Sequence, residues 1–182
     1  MRLRAKELKT RAAEAGVSVE QLADAISRDG LTGDKAVTAV NNWMGGKGHP
    51  KCTKGDIEAI ATAVGCLSKD ISKFTSEVRN HRGSAKKAKL VADMIRGKSF
   101  EDANNMLAYT TKRAAVNIKK ALNAAVADAE TIGGADPSSM IVSEVTVDRG
   151  QHIKRFRPKD RGRAHAIIKR TSHITLSVQE RS

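Results

Sequence analysis

A strongly basic stretch near the carboxyl-terminal end, residues 148 to 173, limits what this chain can fold into. Nine of its residues are Lys or Arg, and only Asp148 and Asp160 are acidic. Residues 158 to 162 lie near its middle and include Pro, Asp and Gly, which favour turns. Such a charged stretch cannot enter an apolar core, and its central turn predicts a long β-hairpin over about residues 148 to 173.

The two predicted strands of this hairpin extend over residues 145 to 157 and 163 to 178. In the first strand Ile153, Arg155 and Arg157 share one side, and Lys154 and Phe156 share the other. We therefore expect no consistent apolar face in the far half. An isolated hairpin is marginal in water, and this one also repels itself. At roughly 3.3 Å per residue, about 12 residues would reach on the order of 40 Å into a polyanionic surrounding.

The whole chain is basic, and the charge is unevenly distributed. Its 182 residues suffice for one domain or two small ones, and they carry a net charge of +13 with a pI near 10.0. Residues 1 to 75 have a net charge of +3, and residues 76 to 182 have +10. This balance indicates a polyanionic partner, with nucleic acid as the first interpretation and an anionic membrane as the second.

Several classes of protein fit the sequence poorly. There is no apolar run long enough to span a bilayer and no apolar segment typical of a signal peptide, so we expect no membrane partner. Cys52 and Cys66 are the only cysteines, which suits a reducing cytosol rather than a disulfide framework. Aromatic residues make up 3% of the chain, which leaves few platforms for stacking bases. Phosphate and sugar contacts should therefore dominate recognition.

The amino-terminal part, residues 1 to 74, has the pattern of a small all-α domain. Helices are predicted over residues 3 to 15, from a cap at Ser18 through Ile26, over residues 34 to 44, and from a cap at Thr53. Residues 29 to 33 are expected to break the second helix. A last short turn is expected at residues 67 to 71.

This helical pattern resembles the Cro/C1-type helix-turn-helix repressor domain. The resemblance rests on Leu22-Ala23, on residues 37 to 43 and on Ala61-x-x-x-Gly65. It implies an alternative function, a DNA-binding regulator whose basic second half acts as a nonspecific clamp. The other interpretation is a helical domain for protein or RNA contact, because residues 28 to 33 lengthen the turn and the third helix offers no arginine, only Lys35, Thr38, Asn41 and Asn42.

A metal site is not expected in this part of the chain. His49, Cys52 and Cys66 lack a fourth ligand at the short paired spacing that structural zinc sites use. The loop at residues 45 to 48 is not followed by the residues of a phosphate-binding loop. Trp43 is interpreted as a core residue, and no cofactor is predicted.

The second part, residues 75 to 182, predicts an α+β domain. After an edge strand at residues 75 to 82, Ser84 should cap a helix over residues 85 to 96, Ser99 should start another, and Thr111 should cap a long helix over residues 112 to 130. The apolar residues of the helices recur at helical spacing, and strands alternate around Ile141 and Ile174. The predicted stripes are Ala88, Val91, Ala92 and Ile95, widened by Leu90 and Met94; Ala103, Met106 and Leu107; Ala115, Ile118, Leu122, Ala125, Val126 and Ala129; and, in the strands, Ile141, Val145 and Val147, then Ile174, Leu176 and Val178. The expected fold is a small antiparallel sheet packed on three helices with a protruding β-hairpin.

Three stretches in this part carry a close resemblance to a known family. They are residues 84 to 98 (Ser-Ala-Lys-Lys-Ala-Lys-Leu-Val-Ala-Asp-Met-Ile-Arg-Gly-Lys), residues 112 to 130, and residues 153 to 178, which include Gly162-Arg163-Ala164 and Lys169-Arg170-Thr171-Ser172-His173-Ile174-Thr175. Residues 76 to 182 resemble the bacterial large-subunit ribosomal protein L-twenty-two family. The family does not normally carry an extension such as residues 1 to 74, and Asp160 departs from the small or basic residue usual near there.

The resemblance implies a structural protein of the large ribosomal subunit, in the cytoplasm. It would bind large-subunit ribosomal RNA and support assembly, with neighbouring ribosomal proteins as further partners. The hairpin would run through RNA, and its tip would line the nascent-peptide tunnel. The tip residues are Pro158, Lys159, Asp160, Arg161 and Gly162.

The residues predicted to bind RNA are lysines and arginines. Those of the hairpin would neutralise phosphates inside folded RNA, and arginine suits this role through its planar fork. Lysines in the first turns after Ser84 oppose the helix macrodipole, so phosphates should compensate them. The predicted set is Arg82, Lys86, Lys87, Lys89, Lys154, Arg155, Arg157, Lys159, Arg161, Arg163, Lys169 and Arg170.

Catalysis is not expected. Ser172-His173 lies in a predicted strand, and no nucleophile elbow or oxyanion motif accompanies it. We therefore predict that the protein is not an enzyme.

Overall fold

The structure is a computed structural model that describes residues 1–26, 28 and 30–181. It divides the chain into two compact units, Met1–Phe74 and Thr75–Ser182. The predicted helix break at residues 29 to 33 falls partly outside the described residues, because Asp29 is not among them.

The first unit consists of short helices around one apolar core. Its elements are β1 (Arg2–Leu3), α1 (Ala5–Glu14), α2 (Val19–Ala25), α3 (Asp34–Met44), α4 (Lys54–Val64) and α5 (Ser68–Ile71). Apolar side chains from all five helices are buried, and Trp43 is among them as predicted. The core includes Leu8, Leu22, Trp43, Ile57, Ile60 and Ile71.

Two predicted helix starts are confirmed as capping boxes. The Ser18 hydroxyl accepts a hydrogen bond from the Gln21 amide at 3.3 Å, and the Gln21 side chain accepts one from the Ser18 amide at 2.9 Å. Thr53 and Asp56 form the same reciprocal pair at the start of α4. Each pair satisfies backbone donors that have no partner inside the helix.

The predicted start of the first helix at residue 3 is wrong. Arg2 and Leu3 instead pair with Lys73 and Ser72 at the beginning of strand β2. The amide of Arg4 donates to the carbonyl of Ile71 at 2.8 Å. This long-range backbone pairing outweighs the local helix preference of residues 3 and 4.

An ion pair between a half-buried arginine and a buried aspartate joins α4 to the segment after α2. Asp56 is 4% exposed, and its Oδ2 lies 3.1 Å from Nη1 of Arg28. Nη2 of Arg28 also donates to the carbonyl of Lys51 at 3.2 Å.

Burial, with the nearby charge of Asp56, raises the pKa of Cys52 to about 12, so this thiol stays protonated at neutral pH.

The second unit combines a sheet with three helices. Strand β2 (Ser72–Arg82) begins three residues earlier than predicted, so its first three residues belong to the first unit. Strand β6 (Thr171–Glu180) lies between β2 and β3 (Met140–Arg149). Helix α8 (Arg113–Gly133) packs on β6, and α6 (Ala85–Ile95) packs on β3. The remaining elements are α7 (Phe100–Tyr109), a 3₁₀ turn (Pro137–Ser139), β4 (Ile153–Pro158) and β5 (Ala164–Lys169).

The predicted apolar stripes of α6 and α8 are confirmed as core. The four stripe residues of α6 and the six of α8 are all buried. Leu90 and Met94, which widen the stripe of α6, remain 57% and 40% exposed. Helix α8 ends at Gly133, three residues later than predicted.

The predicted caps of α6 and α8 are only partly correct. Ser84 is the N-cap of α6, but its side chain makes no capping hydrogen bond. The N-cap of α8 is Lys112, so the prediction of Thr111 is wrong. Ser99 caps α7 as predicted, because its hydroxyl accepts from the Asp102 amide at 3.2 Å.

A β-bulge changes the predicted alternation in β3. The register with β6 shifts between Val142 and Glu144. Met140, Val142 and Val145 are therefore the buried residues, whereas Ile141 is only half-buried. A single extra residue reverses which side chains face the core, so the predicted inward position of Ile141, before the bulge, was wrong. After the bulge, Val145 is buried as predicted and Val147 is half-buried.

The long hairpin expected from the sequence is interrupted. The ladder of β3 and β6 ends where Arg149 faces Ser172, and that of β4 and β5 begins where Ile153 faces Lys169. Between the ladders, the Thr171 hydroxyl donates to the carbonyl of Gln151 at 2.6 Å. The Gln151 carbonyl therefore accepts a hydrogen bond from a side chain and not from the backbone of the opposite strand. As a result, each of the two predicted strands is divided in two, giving β3 and β4 on one side and β5 and β6 on the other.

Gly150 lies at this interruption and has no room for a side chain. A Cβ atom there would meet Thr171 Oγ1 at 2.6 Å and the backbone carbon of Thr171 at 3.3 Å. We expect Gly150→Ala to reduce the free energy of unfolding by about 1–3 kcal/mol through this overpacking. Urea unfolding followed by circular dichroism would measure the change.

The variant Thr171→Ala tests whether contact with the Thr171 hydroxyl causes the expected loss of stability in Gly150→Ala. The Thr171→Ala background removes the hydroxyl that the new Cβ would strike, so the added cost of Gly150→Ala should be smaller there. An equal cost in both backgrounds would contradict the proposed contact.

Candidate RNA-binding surface

Residues 153 to 169, here called the arm, form a separate two-stranded antiparallel sheet. Pro158 faces Ala164 at its far end. The amide of Arg163 donates to the carbonyl of Asp160 at 3.1 Å. Arg161 and Gly162 between them both have positive φ, 53° and 70°. Two consecutive left-handed residues make a tight turn of the kind that suits twisted strands, and glycine supplies one of them without strain.

The arm carries a dense positive charge without compensating partners. It holds seven Lys and Arg residues and one acid, Asp160. Every residue from 154 to 169 is exposed. Within the described part of the chain, none of these seven side chains has an ion-pair partner. The cationic groups are therefore free to contact an external polyanion.

The register of the arm separates its residues onto two faces. Opposed residues of an antiparallel pair lie on the same face. The basic face, as we name it, holds Ile153, Arg155, Arg157, His165, Ile167 and Lys169. The apolar face holds Lys154, Phe156, Pro158, Ala164, Ala166 and Ile168. The expectation of no consistent apolar face was wrong, because β5 contributes three apolar residues to the side of Phe156.

A recess of about 260 Å³ lies at the base of the arm beside the start of α6. It brings together basic side chains from separate parts of the sequence. Lys86 comes from α6, Arg149 ends β3, and Arg170 joins the two ladders. His152 lines the same recess. Lys87 and Lys89 are also exposed on α6, so the cationic surface continues along this helix.

A second recess, of about 510 Å³, borders the same junction. Its lining includes Arg82 from the end of β2, with Asn80, Gln151 and His152. All twelve basic residues that were predicted from the sequence to bind RNA are exposed. Seven of them lie on the arm. Arg82, Lys86 and Arg170 lie around its base, and Lys87 and Lys89 lie on α6.

The comparison with protein families shows which family the chain belongs to. Residues 76–179 match the family described as ribosomal protein L22p/L17e. The chain belongs to this family. The match covers more than half of the chain and includes α6, α7, α8 and the arm, but it leaves out the first unit.

Membership of the L22p/L17e family makes the chain a large-subunit ribosomal protein that binds ribosomal RNA. The family consists of structural proteins of the ribosome and not of enzymes. The basic residues of the arm and its base lie within the matched residues. No finding supports the alternative of a DNA-binding regulator.

The helix expected to read DNA presents polar residues. Lys35, Thr38 and Asn41 of α3 are exposed, and Asn42 is half-buried. The Thr38 hydroxyl donates to the carbonyl of Asp34 in its own helix at 2.8 Å. The helix-turn-helix character of the first unit remains a prediction.

Two histidines make hydrogen bonds at or beside the end of strand β2. His173 Nδ1 accepts from the amide of Asn80 at 3.2 Å. His81 is 5% exposed, and its Nδ1 lies 2.6 Å from the side-chain nitrogen of Asn117. Burial, and then the charge of Arg113, lowers the pKa of His81. Neutral His81 can accept a hydrogen bond from the Asn117 side-chain amide through Nδ1.

Arg149 and His152 belong to the base of the arm but were missing from the predicted residues. Arg149 lies within the basic stretch, so its charge was visible in the sequence. Its place beside Lys86 depends on packing between distant segments, which no local pattern reveals.

The described residues contain no group of three or more His, Cys, Asp and Glu side chains that could hold a metal ion. None of their helices is both long enough and apolar enough to cross a membrane.

Proposed function

We propose that the arm penetrates folded large-subunit ribosomal RNA and stabilises it during assembly. The observation that carries this proposal is the arm itself, seven exposed cations on a ribbon with no core of its own. A two-stranded ribbon of this composition gains little stability from burial. Phosphates on its surface would relieve the repulsion between the cations and would hold the ribbon in place.

The base of the arm would provide a second anchor. In the proposal, Lys86, Arg149 and Arg170 bind backbone phosphates at the first recess, and Arg82 binds them at the second. The lysines of α6 oppose its macrodipole and have no ion-pair partners among the described residues. Binding of phosphate at the base would also fix the direction of the arm, because the recess combines residues of α6 with residues of the junction.

The turn of the arm is proposed to line the nascent-peptide tunnel. Its residues Lys159, Asp160 and Arg161 are exposed and lie farthest along the chain from the base. A tunnel wall needs groups that are not covered by the protein's own fold, and the turn meets this condition. Neighbouring ribosomal proteins are the proposed partners of the remaining surface.

The RNA proposal is tested by binding of the full chain to deproteinised large-subunit and small-subunit ribosomal RNA. We expect tighter binding to the large-subunit RNA, with an affinity that falls steeply between about 50 and 200 mM salt. Equal binding to both RNAs, or a flat salt response, would contradict the proposed function.

A further inference from the structure

The two faces of the arm differ in chemistry although both are exposed. Arg155 and Arg157 lie on the basic face, together with His165 and Lys169. On the apolar face, Phe156 is 75% exposed and Ile168 is 57% exposed. Phosphate binding alone does not explain these exposed apolar residues, because apolar groups in contact with water cost free energy.

Charge limits what can cover the apolar face. Lys154 lies on the apolar face. At the far end of the arm, this face is bounded by the basic turn with Lys159 and Arg161. The arm as a whole repels a basic protein surface and attracts a polyanion. Within a polyanionic nucleic acid, the unpaired nucleobases are the groups with apolar, planar surfaces.

The geometry of Phe156 fits such an occupant. Its cross-strand neighbour is Ala166, and the next pair toward the tip is Pro158 and Ala164. Small neighbours leave the aromatic ring uncovered, which agrees with its exposure. Lys154 lies two residues before Phe156 on the same face, where its ammonium group could meet the phosphate of a stacked nucleotide.

Resting on the proposed function, we propose that the apolar face binds unpaired nucleobases of the RNA whose phosphates the basic face contacts, with Phe156 stacked on a base. The arm then lies between two segments of RNA and reads a different chemical feature of each. The contribution of Phe156 and Ile168 to the RNA affinity should not depend on the salt concentration. The contribution of Arg155 and Arg157 should fall as the salt concentration rises.

Single substitutions in the full chain separate the two contributions. The probe is deproteinised large-subunit ribosomal RNA, titrated over a range of salt concentrations. Phe156→Ala should weaken binding about tenfold with no change in the salt slope, and Phe156→Trp should retain the affinity. Arg157→Ala should lower the slope by about 0.7 to 0.9.

Adjacent isoleucines provide a matched control. Ile167 and Ile168 have the same side chain, but they lie on the basic and apolar faces respectively. Ile168 also borders the first recess at the base. Ile168→Ala should weaken binding measurably more than Ile167→Ala and leave the salt slope unchanged, which separates this loss from a lost phosphate contact at the recess. All of these side chains are exposed, so the substitutions leave the core of the second unit untouched.

The outcomes distinguish this inference from the proposed function. If Phe156→Ala and Ile168→Ala bind as the unchanged chain does while Arg157→Ala lowers the slope, the base contact is overturned and RNA binding stands. If those two variants bind naked RNA normally but are retained poorly in the assembled subunit, the face meets protein or nascent peptide, which also overturns the inference. A flat salt response of the unchanged chain would instead remove the proposed function.

Discussion

Replacing Arg155, Arg157, Arg161 and Arg163 together with glutamine should eliminate stable binding to large-subunit ribosomal RNA at about 200 mM salt. Each arginine that contacts a phosphate contributes about 0.7 to 0.9 to the slope of log affinity against log salt concentration. Removing four such contacts should therefore lower the slope by about three. The four side chains are exposed and have no ion-pair partners in the described residues, so the fold should be preserved.

A charge-matched variant tests whether position or net charge matters. Lys98, Lys112, Lys120 and Arg181 are exposed cations of the same unit outside the arm and its base. Their joint substitution by glutamine removes the same charge but should change the slope by much less. Equal losses in the two variants would mean that binding follows net charge alone, and the assignment of the arm would be wrong.

Substitution of Asp56 by alanine should strongly destabilise the first unit. Asp56→Ala removes the buried partner of Arg28 and the carboxylate that accepts from the Thr53 amide. Loss of a buried ion-pair partner and of a helix cap should together lower the free energy of unfolding by about 2–4 kcal/mol. Trp43 is the only tryptophan and is buried in this unit, so its fluorescence follows unfolding there.

Glu58 on the same helix supplies the control. Its ion pair with Lys54 spans 3.5 Å between side chains that are both more than half exposed. Glu58→Ala should therefore change the free energy of unfolding by about 0.5 kcal/mol or less. If Asp56→Ala costs no more than Glu58→Ala, the ion pair of Asp56 and Arg28 does not stabilise the unit in the way described.

The sequence predicted best the features that depend on local patterns. The core stripe of α8 and the caps at Ser18 and Thr53 follow from spacing over three to seven residues, and the structure confirms them. Residues 34 to 44 form a helix with the predicted bounds. In these segments helix preference and tertiary packing favour the same structure.

Other features arise from pairing between distant residues and were missed. The alternation of β4 places Phe156 correctly, but the register that adds Ala166 and Ile168 to its face is set by the turn around Arg161. Likewise, Thr171 interrupts the ladder by binding Gln151, twenty residues away. Arg149 and Lys86 share a recess for the same long-range reason.

Sedimentation of a cell lysate through a gradient at moderate and at high salt, with detection of this chain, tests whether the chain is a component of the large ribosomal subunit. We expect the chain to travel with the large ribosomal subunit in a one-to-one ratio and to resist the high-salt wash, because its arm is enclosed in RNA. The variant without the four arm arginines should be depleted from that fraction. Recovery of the unchanged chain at the top of the gradient, or with chromosomal DNA, would contradict the account.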